Sequence, residues 1–221
     1  MAFILKLANY VQYELESITT EQGRRYKVPG GGNEYESITT ALGKRPEKII
    51  ALQEWRQKIG IKEAQKITTQ ASRTGTNVHQ IAENYLKNQE DYNKGFTPLE
   101  IDMFNKLKPA LDENIDEVYG IEMSLYSDRF KLAGRTDCIA SWNGKLSIID
   151  FKTSSKPKKE QWVEDYYLQC AGYSFMFNEL YKDNIVNNVI LITVKETGEL
   201  QIFENDKPDK YFTHEFFQKR M

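Results

Sequence analysis

Residues 132–154 read LAGRTDCIASWNGKLSIIDFKTS, two apolar runs separated by Asn143-Gly144. An Asn-Gly pair between such runs is a strong signal for a two-residue β-hairpin turn. The turn fixes the register: Trp142 opposite Lys145, Ile139 opposite Ile148, and Asp137 opposite Asp150. Directly opposed residues share a face, with Cβ atoms roughly 4.5–5.5 Å apart. Two carboxylates so placed repel each other unless a cation or a shared proton lies between them. Lys152 follows Asp150 by two positions and falls on the same face, while Ile149 and Phe151 point into a core. One sheet face therefore presents Asp137, Asp150 and Lys152, a minimal kit for metal-assisted hydrolysis. The carboxylates offer hard oxygen ligands to Mg²⁺ or Mn²⁺. The ammonium can orient a water and stabilise charge developing on a phosphate. An Asp-x-Lys tripeptide also occurs in ordinary buried ion-pair clusters, but residues 150–152 are the only acidic-x-Lys in the chain. A β-bulge would shift the pairing.

Two further groups could support that kit. His79, one of two histidines, follows Gly75-Thr76 on an expected helix, with Glu83 one turn later on the same face. Such a pair is more often a solvated His–Glu contact; its functional alternative is an axial metal ligand from a helix packed on the sheet. After the hairpin, Gln169 stands four residues from both Asp165 and Tyr173. Taken singly, these are packing or surface residues.

The elements needed to position these residues follow from local pattern. Residues 10–38 read as short strands joined at Pro29-Gly30-Gly31-Gly32, and Thr39 or Thr40 is expected to cap a helix. Apolar spacing predicts helix from about 46 to 90, broken at Gly60 and weak at Gly75. A helix over 98–112, two strands within 117–141, a third over 145–152 and a helix over 159–181 follow. Residues 188–204 suit a hairpin turned at Thr197-Gly198, and a short aromatic helix is expected to close the chain. The pentapeptide Glu-Ser-Ile-Thr-Thr occurs at 16–20 and again at 36–40, each copy followed by a glycine and basic residues. Two copies do not make a solenoid. The reading is one α/β domain over 1–221, with 1–45 as an N-terminal β-hairpin extension and 46–221 as the core.

Composition narrows the class. The chain has 221 residues, 40% hydrophobic and 28% charged, which suits one domain with a sizeable core. No apolar run approaches the length of a bilayer span, so no membrane partner is expected. The opening MAFILKLANYVQYELE reads as neither a secretory signal nor an Arg-rich transit segment. Two cysteines exclude a disulfide framework and a four-cysteine cluster, and suggest a cytoplasmic setting. With 30 basic against 32 acidic residues, net −2, any nucleic-acid contact must come from local patches.

In order along the chain, Gly75-Thr76-x-x-His79-x-x-x-Glu83, Glu122, Gly134-Arg135-Thr136-Asp137, Asp150-Phe151-Lys152 and Gln169-x-x-x-Tyr173 together resemble the PD-(D/E)XK nuclease superfamily in its RecB-like exonuclease branch. The stretch 36–60 is similar to the N-terminal part of the group formed by the mitochondrial genome maintenance exonucleases and their phage-encoded relatives. Thr136 replaces the proline of the family motif, at a position that parity turns away from the metal.

The resemblance implies a restriction-endonuclease-like core, a central mixed β-sheet flanked by helices. It implies that His79, Asp137, Asp150 and the Phe151 carbonyl hold Mg²⁺ or Mn²⁺ and that Lys152 acts in catalysis. Gln169 and Tyr173 would support the site, with Glu83 and Glu122 as auxiliary acids. Nucleic-acid contacts would come from Thr153, Ser154, Lys156, Arg73 and Arg56, with Arg24, Arg25, Lys44 and Arg45 along an approach path. The implied activity is a metal-dependent DNA exonuclease preferring single strands or free ends, monomeric, cytoplasmic and compatible with a phage origin. The alternatives are a structure-specific endonuclease of the same fold and a non-catalytic nucleic-acid-binding or recombination-accessory module.

Overall fold

The computed structural model describes residues 2–30 and 32–208. Nine strands form one mixed sheet: β1 (Ile4–Leu5), β2 (Ser17–Thr20), β3 (Gly23–Lys27), β4 (Glu34–Ser37), β5 (Ile115–Ser127), β6 (Leu132–Trp142), β7 (Lys145–Ser154), β8 (Asn187–Val194) and β9 (Leu200–Asn205). The helices are α1 (Ile38–Gly43), α2 (Pro46–Ile59), α3 (Ile61–Leu86), α4 (Pro98–Asn114) and α5 (Glu164–Tyr181). The expected closing helix lies outside the described residues, as does Gly31 of the expected 29–32 turn. Among the described residues no helix is long and apolar enough to cross a membrane.

The centre of the sheet follows from the Asn143-Gly144 turn. Both residues have positive φ, 50° and 75°, as a type I′ turn requires. The β6–β7 ladder runs from Trp142↔Lys145 to Cys138↔Ile149 and there stops. The expected direct pairing of Asp137 with Asp150 is not made. From that point β7 keeps only its other partner, the parallel β8, through Ser154↔Val194. β5 pairs with β6 along its length, so β7 at residues 138–142 and β4 at residues 132–133 share the remaining edge. Among the described residues this edge carries no ladder pair at residues 134–137.

Alternation along the strands builds two apolar layers. Ile139, Ile148, Ile190 and Ile192 pack against Leu168, Met176 and Phe177 of α5. Cys138, Ala140, Ile149, Phe151 and Leu191 pack on the other face against Val78 and Ile81 of α3 and Phe104 and Leu107 of α4. The result is a central mixed sheet flanked by helices. The N-terminal strands belong to this same sheet: β1 runs parallel to β5, and β4 runs parallel to β6. Ile38 of α1 is fully buried in the α5-side core.

Three local expectations are corrected. Ser37 occupies the position before α1, and Thr39 and Thr40 lie in its first turn. Thr40 instead accepts a hydrogen bond from the Arg24 N–H at 3.0 Å. α3 runs unbroken through Gly75, because the flanking Thr74, Val78 and Ile81 are buried against the core. α5 starts at Glu164, later than expected, after a 3₁₀ turn over Glu160–Trp162.

α4 begins with a reciprocal cap. The Thr97 hydroxyl accepts from the Glu100 N–H, and the Glu100 carboxylate accepts from the Thr97 N–H at 2.8 Å. Asn77 of α3 donates to the same carboxylate at 2.7 Å, tying the two helices together. Burial pushes the Glu100 carboxyl up, but these donors and Arg73 outweigh it and hold it below the usual range. Thr97→Ala should cost about 1 kcal/mol. The depressed carboxyl contributes stability that is full above its unfolded pKa and lost as pH falls through the folded value. Urea denaturation should therefore show Glu100→Gln destabilised most at pH 7, with the gap from wild type narrowing below about pH 4.5.

Candidate active site

The unpaired edge of β6 is where the chemistry gathers. Asp137 turns its carboxylate into the gap left by β7, and Oδ2 accepts the Phe151 N–H at 2.7 Å. The side chain thus replaces the main-chain acceptor that a continued ladder would have supplied. Its Oδ1 lies 3.3 Å from His79 Nδ1. α3 packs on the opposite face of the sheet from α5, and its His79 reaches Asp137 where β7 has left β6. The Phe151 ring meets the imidazole edge-to-face, with centroids 6.0 Å apart.

Asp150 is 1% exposed, and two groups hold it. It forms an ion pair with Lys152, and it accepts the Gln169 amide at 3.1 Å. The same amide stands 3.4 Å from the Tyr173 hydroxyl. The expected i, i+4 pair on α5 thus becomes a hydrogen-bonded chain from Tyr173 to Asp150. Lys152 also stacks over the Tyr166 ring at 5.4 Å, and its ammonium is 3.4 Å from the Phe151 carbonyl.

Glu122 lies across from Asp137 on β5, between the pairs Ile121↔Cys138 and Met123↔Thr136. Its φ is +50°, an uncommon conformation for a residue other than glycine. His79, Glu122 and Asp137 can each offer a ligand atom, all within 4.8 Å of one another. One imidazole nitrogen and two carboxylate oxygens suit a divalent cation. Glu122 had been expected to serve as an auxiliary acid; here it stands with His79 and Asp137, while Asp150 is engaged by Lys152 and Gln169.

The titration pattern follows from burial and proximity. Burial, Asp137 and Glu83 push the Glu122 carboxyl up to about 7, against the pull of His79 and Arg135. Burial and Asp137 raise Asp150 to about 6, although Lys152 and His79 oppose them. Burial would also raise Asp137, but His79, Lys152 and the Phe151 N–H hold it below the ordinary carboxylate range. His79 is raised because Asp137 outweighs burial, and Lys152 is raised because Asp150 and Asp137 do the same. The site thus gathers three carboxyl groups around one imidazole and one ammonium, and Glu122 and Asp150 are the two whose carboxyls are raised.

His79, Glu83, Glu122, Asp137, Lys152, Gln169 and Tyr173 all line one cavity of about 510 Å³. Glu83 is paired with Lys87 at 2.6 Å and accepts from Gln80 at 2.9 Å. The expected nucleic-acid residues are more scattered. Thr153 and Ser154 line a second cavity, of about 330 Å³, with Lys66 and Lys195. Lys156 is exposed just past β7, and Arg73 is exposed on α3. Arg56, on α2, borders a groove with Leu52 and Trp55 and does not line the catalytic cavity. Arg45 is buried in an ion pair with Asp165, a structural tie between α2 and α5.

Gly134 of the sequence motif has a steric reason. A Cβ there would stand 2.6 Å from Tyr173 Cε1 and 3.3 Å from Ile38 Cγ2. β6 must come this close to α5 for the Tyr173–Gln169–Asp150 chain to form.

This mixed sheet flanked by helices, with two acids and a lysine at the parting of a central hairpin, has the form of a restriction-endonuclease-like core. The chain belongs to the PD-(D/E)XK nuclease superfamily, whose profile matches residues 85–218. Its relatives include mitochondrial genome maintenance exonuclease 1 of Mus musculus, 28% identical over 138 residues, which covers 60% of this chain and 40% of that protein. The protein of the same name from Homo sapiens is 25% identical over 179 residues, covering 77% of this chain and 52% of that protein. That of Xenopus tropicalis is 34% identical over 80 residues, covering 35% and 22%. The chain thus spans about half or less of the length of these relatives.

Gly134→Ala should destabilise the protein by about 1–3 kcal/mol through overpacking. In a Tyr173→Ala background the same substitution should cost measurably less, because the colliding ring is gone. Equal costs in the two backgrounds, read by thermal or urea denaturation, would show that the ring contact does not set this position.

Proposed function

We propose that the protein is a divalent-metal-dependent DNA exonuclease of the RecB-like branch, acting on single strands or free ends. The observation that carries this reading is the convergence in one cavity of His79, Glu122, Asp137 and Lys152, the last ion-paired to the buried Asp150. The relatives named as exonucleases support the direction of the reading.

In this reading His79, Glu122 and Asp137 would hold the ion, with Asp150 and the Phe151 carbonyl as the further oxygen donors that the family resemblance implies. The ion, Mg²⁺ or Mn²⁺, supplies Lewis acidity toward a phosphodiester oxygen and an attacking water. Lys152 stays protonated, because two carboxylates raise its pKa. Its ammonium therefore donates to a non-bridging phosphate oxygen and stabilises the charge that grows there. Asp150 fixes the ammonium, and Gln169 and Tyr173 fix Asp150. Thr153, Ser154 and Lys156, with Arg73 and Arg56 farther off, contact strand phosphates beyond the site.

Purified protein should degrade linear single-stranded DNA in Mg²⁺ or Mn²⁺ and leave a circular single strand intact. EDTA should abolish the activity. Lys152→Ala should lower the rate by about a hundredfold or more, and Asp137→Asn should do the same, with folding judged by circular dichroism. Cleavage of the circle would make the protein an endonuclease of the same fold. Binding without cleavage under every metal condition would make it an accessory module.

A further inference from the structure

The repeated pentapeptide has no part in the chemistry described so far, yet both copies border the catalytic cavity. The first copy forms β2, and the second runs from β4 into α1. The β2–β3 ladder sets Ser17 opposite Tyr26. The β3–β4 ladder pairs Tyr26 with Tyr35 and Arg25 with Glu36, so the next position brings Arg24 to Ser37. Opposed residues share a face and successive residues alternate. Ser17, Arg24, Tyr26 and Ser37 therefore lie on one face of the meander, and all four line the cavity together with Thr39.

The same meander separates its charges by face. Arg25 and Lys27, on the other face, pair with Glu34 and Glu16 at 3.5 and 2.9 Å. Arg24 forms no ion pair among the described residues. Its main chain is pinned by Thr40 of the second copy, through the bond at 3.0 Å. Pairing of Ser37 with Ala133 sets this face beside Arg135, which also lines the cavity and has Glu122 4.0 Å away. Ser37 Oγ and Thr39 Oγ1 lie 2.7 Å apart, a paired hydroxyl site. The cavity lining is acidic at Glu83, Glu122 and Asp137, and it also carries the guanidinium groups of Arg24 and Arg135 and the hydroxyls of Ser17, Ser37 and Thr39.

We infer that this second group of residues is a phosphate subsite for the strand being cut, with Arg24 and Arg135 as the charged donors and Ser17, Ser37 and Thr39 as hydroxyl donors. The inference rests on the nuclease reading and names a substrate contact that it did not contain. A guanidinium offers a planar fork that fits phosphate oxygens, and hydroxyls are common phosphate partners. An anionic strand approaching Glu83, Glu122, Asp137 and Asp150 meets repulsion, which a cationic wall on the same cavity offsets. The phosphate is either the terminal one of the strand or an internal one beside the scissile bond.

The test measures binding of a short labelled single strand in EDTA, where cleavage does not interfere, alongside cleavage of the same strand in Mn²⁺. Arg24→Gln should weaken binding about tenfold, the loss expected for one charge-assisted hydrogen bond. In cleavage, most of the loss should fall in KM rather than in kcat. Lys27→Gln, on the opposite face of β3, should bind as wild type does. Inorganic phosphate should compete with the strand for wild type and less well for Arg24→Gln. A preference of wild type for a 5′- or 3′-phosphorylated strand, lost in Arg24→Gln, would assign the terminal phosphate. Equal weakening for all ends would assign an internal one. Unchanged binding and KM in Arg24→Gln, with wild type still cleaving, would overturn the subsite and leave the nuclease reading intact. Absence of cleavage by wild type in every metal would overturn the nuclease reading and the subsite with it.

Discussion

The architecture of the site depends on one substitution of partners: the Asp137 carboxylate takes the place of a backbone acceptor for the Phe151 N–H. A buried N–H without a partner would cost about 1–3 kcal/mol. With that donor satisfied by a side chain, β7 can leave β6 after Ile149 and continue alongside β8 alone. Parting the two strands opens the sheet edge at residues 134–137. His79 on α3 and Gln169 on α5, which belong to opposite layers, can then serve neighbouring carboxylates. A hairpin that stayed zipped to Asp137↔Asp150 would have kept those layers apart.

Charge balance explains why Lys152 holds its place. Asp150 is almost wholly buried, and an isolated carboxylate there would be costly. Lys152 supplies the compensating charge, and the Gln169 amide satisfies the second oxygen. Asp150 nevertheless sits at about 6, so it can take up a proton close to neutrality when its cation is removed. Asp137 behaves differently. It is held ionised by His79, Lys152 and the Phe151 N–H, and so it is the carboxylate with the firmest negative charge.

Much of this was legible in the sequence because it is local. Asn143-Gly144 fixed the hairpin turn, and strand alternation put Ile149 and Phe151 in the core. The helix breaks around Gly60 and the four-residue spacing of Gln169 and Tyr173 also follow from short-range pattern. What could not be read depends on contacts far apart in sequence. The stop of the β6–β7 ladder depends on β8 competing for β7 and on a side chain taking over one hydrogen bond. The two copies of Glu-Ser-Ile-Thr-Thr show the limit plainly, since one is a strand and the other starts a helix. Ile38 is driven into the core beside α5, and that burial outweighs the preference the pentapeptide shows in its first position. The metal-competent placement of Glu122 left no local signal. Nothing near it in sequence announces a positive φ.

That φ is the feature most at odds with ordinary folding preference. Holding a glutamate at +50° within a strand costs on the order of 1–3 kcal/mol. The neighbouring pairs Ile121↔Cys138 and Met123↔Thr136 fix the chain on either side. Met123, Thr136 and Cys138 are all at most 1% exposed. Burying a side chain such as Met123 contributes about 1.5–3 kcal/mol, enough to offset the strain between the anchors. A glycine at this position would adopt the same conformation without cost but would carry no carboxylate. The strained backbone sends the side chain toward His79 and Asp137, where burial, Asp137 and Glu83 raise its pKa against the pull of His79 and of Arg135, 4.0 Å away. A divalent cation, with its charge and preference for oxygen, would oppose that rise and favour the ionised carboxylate.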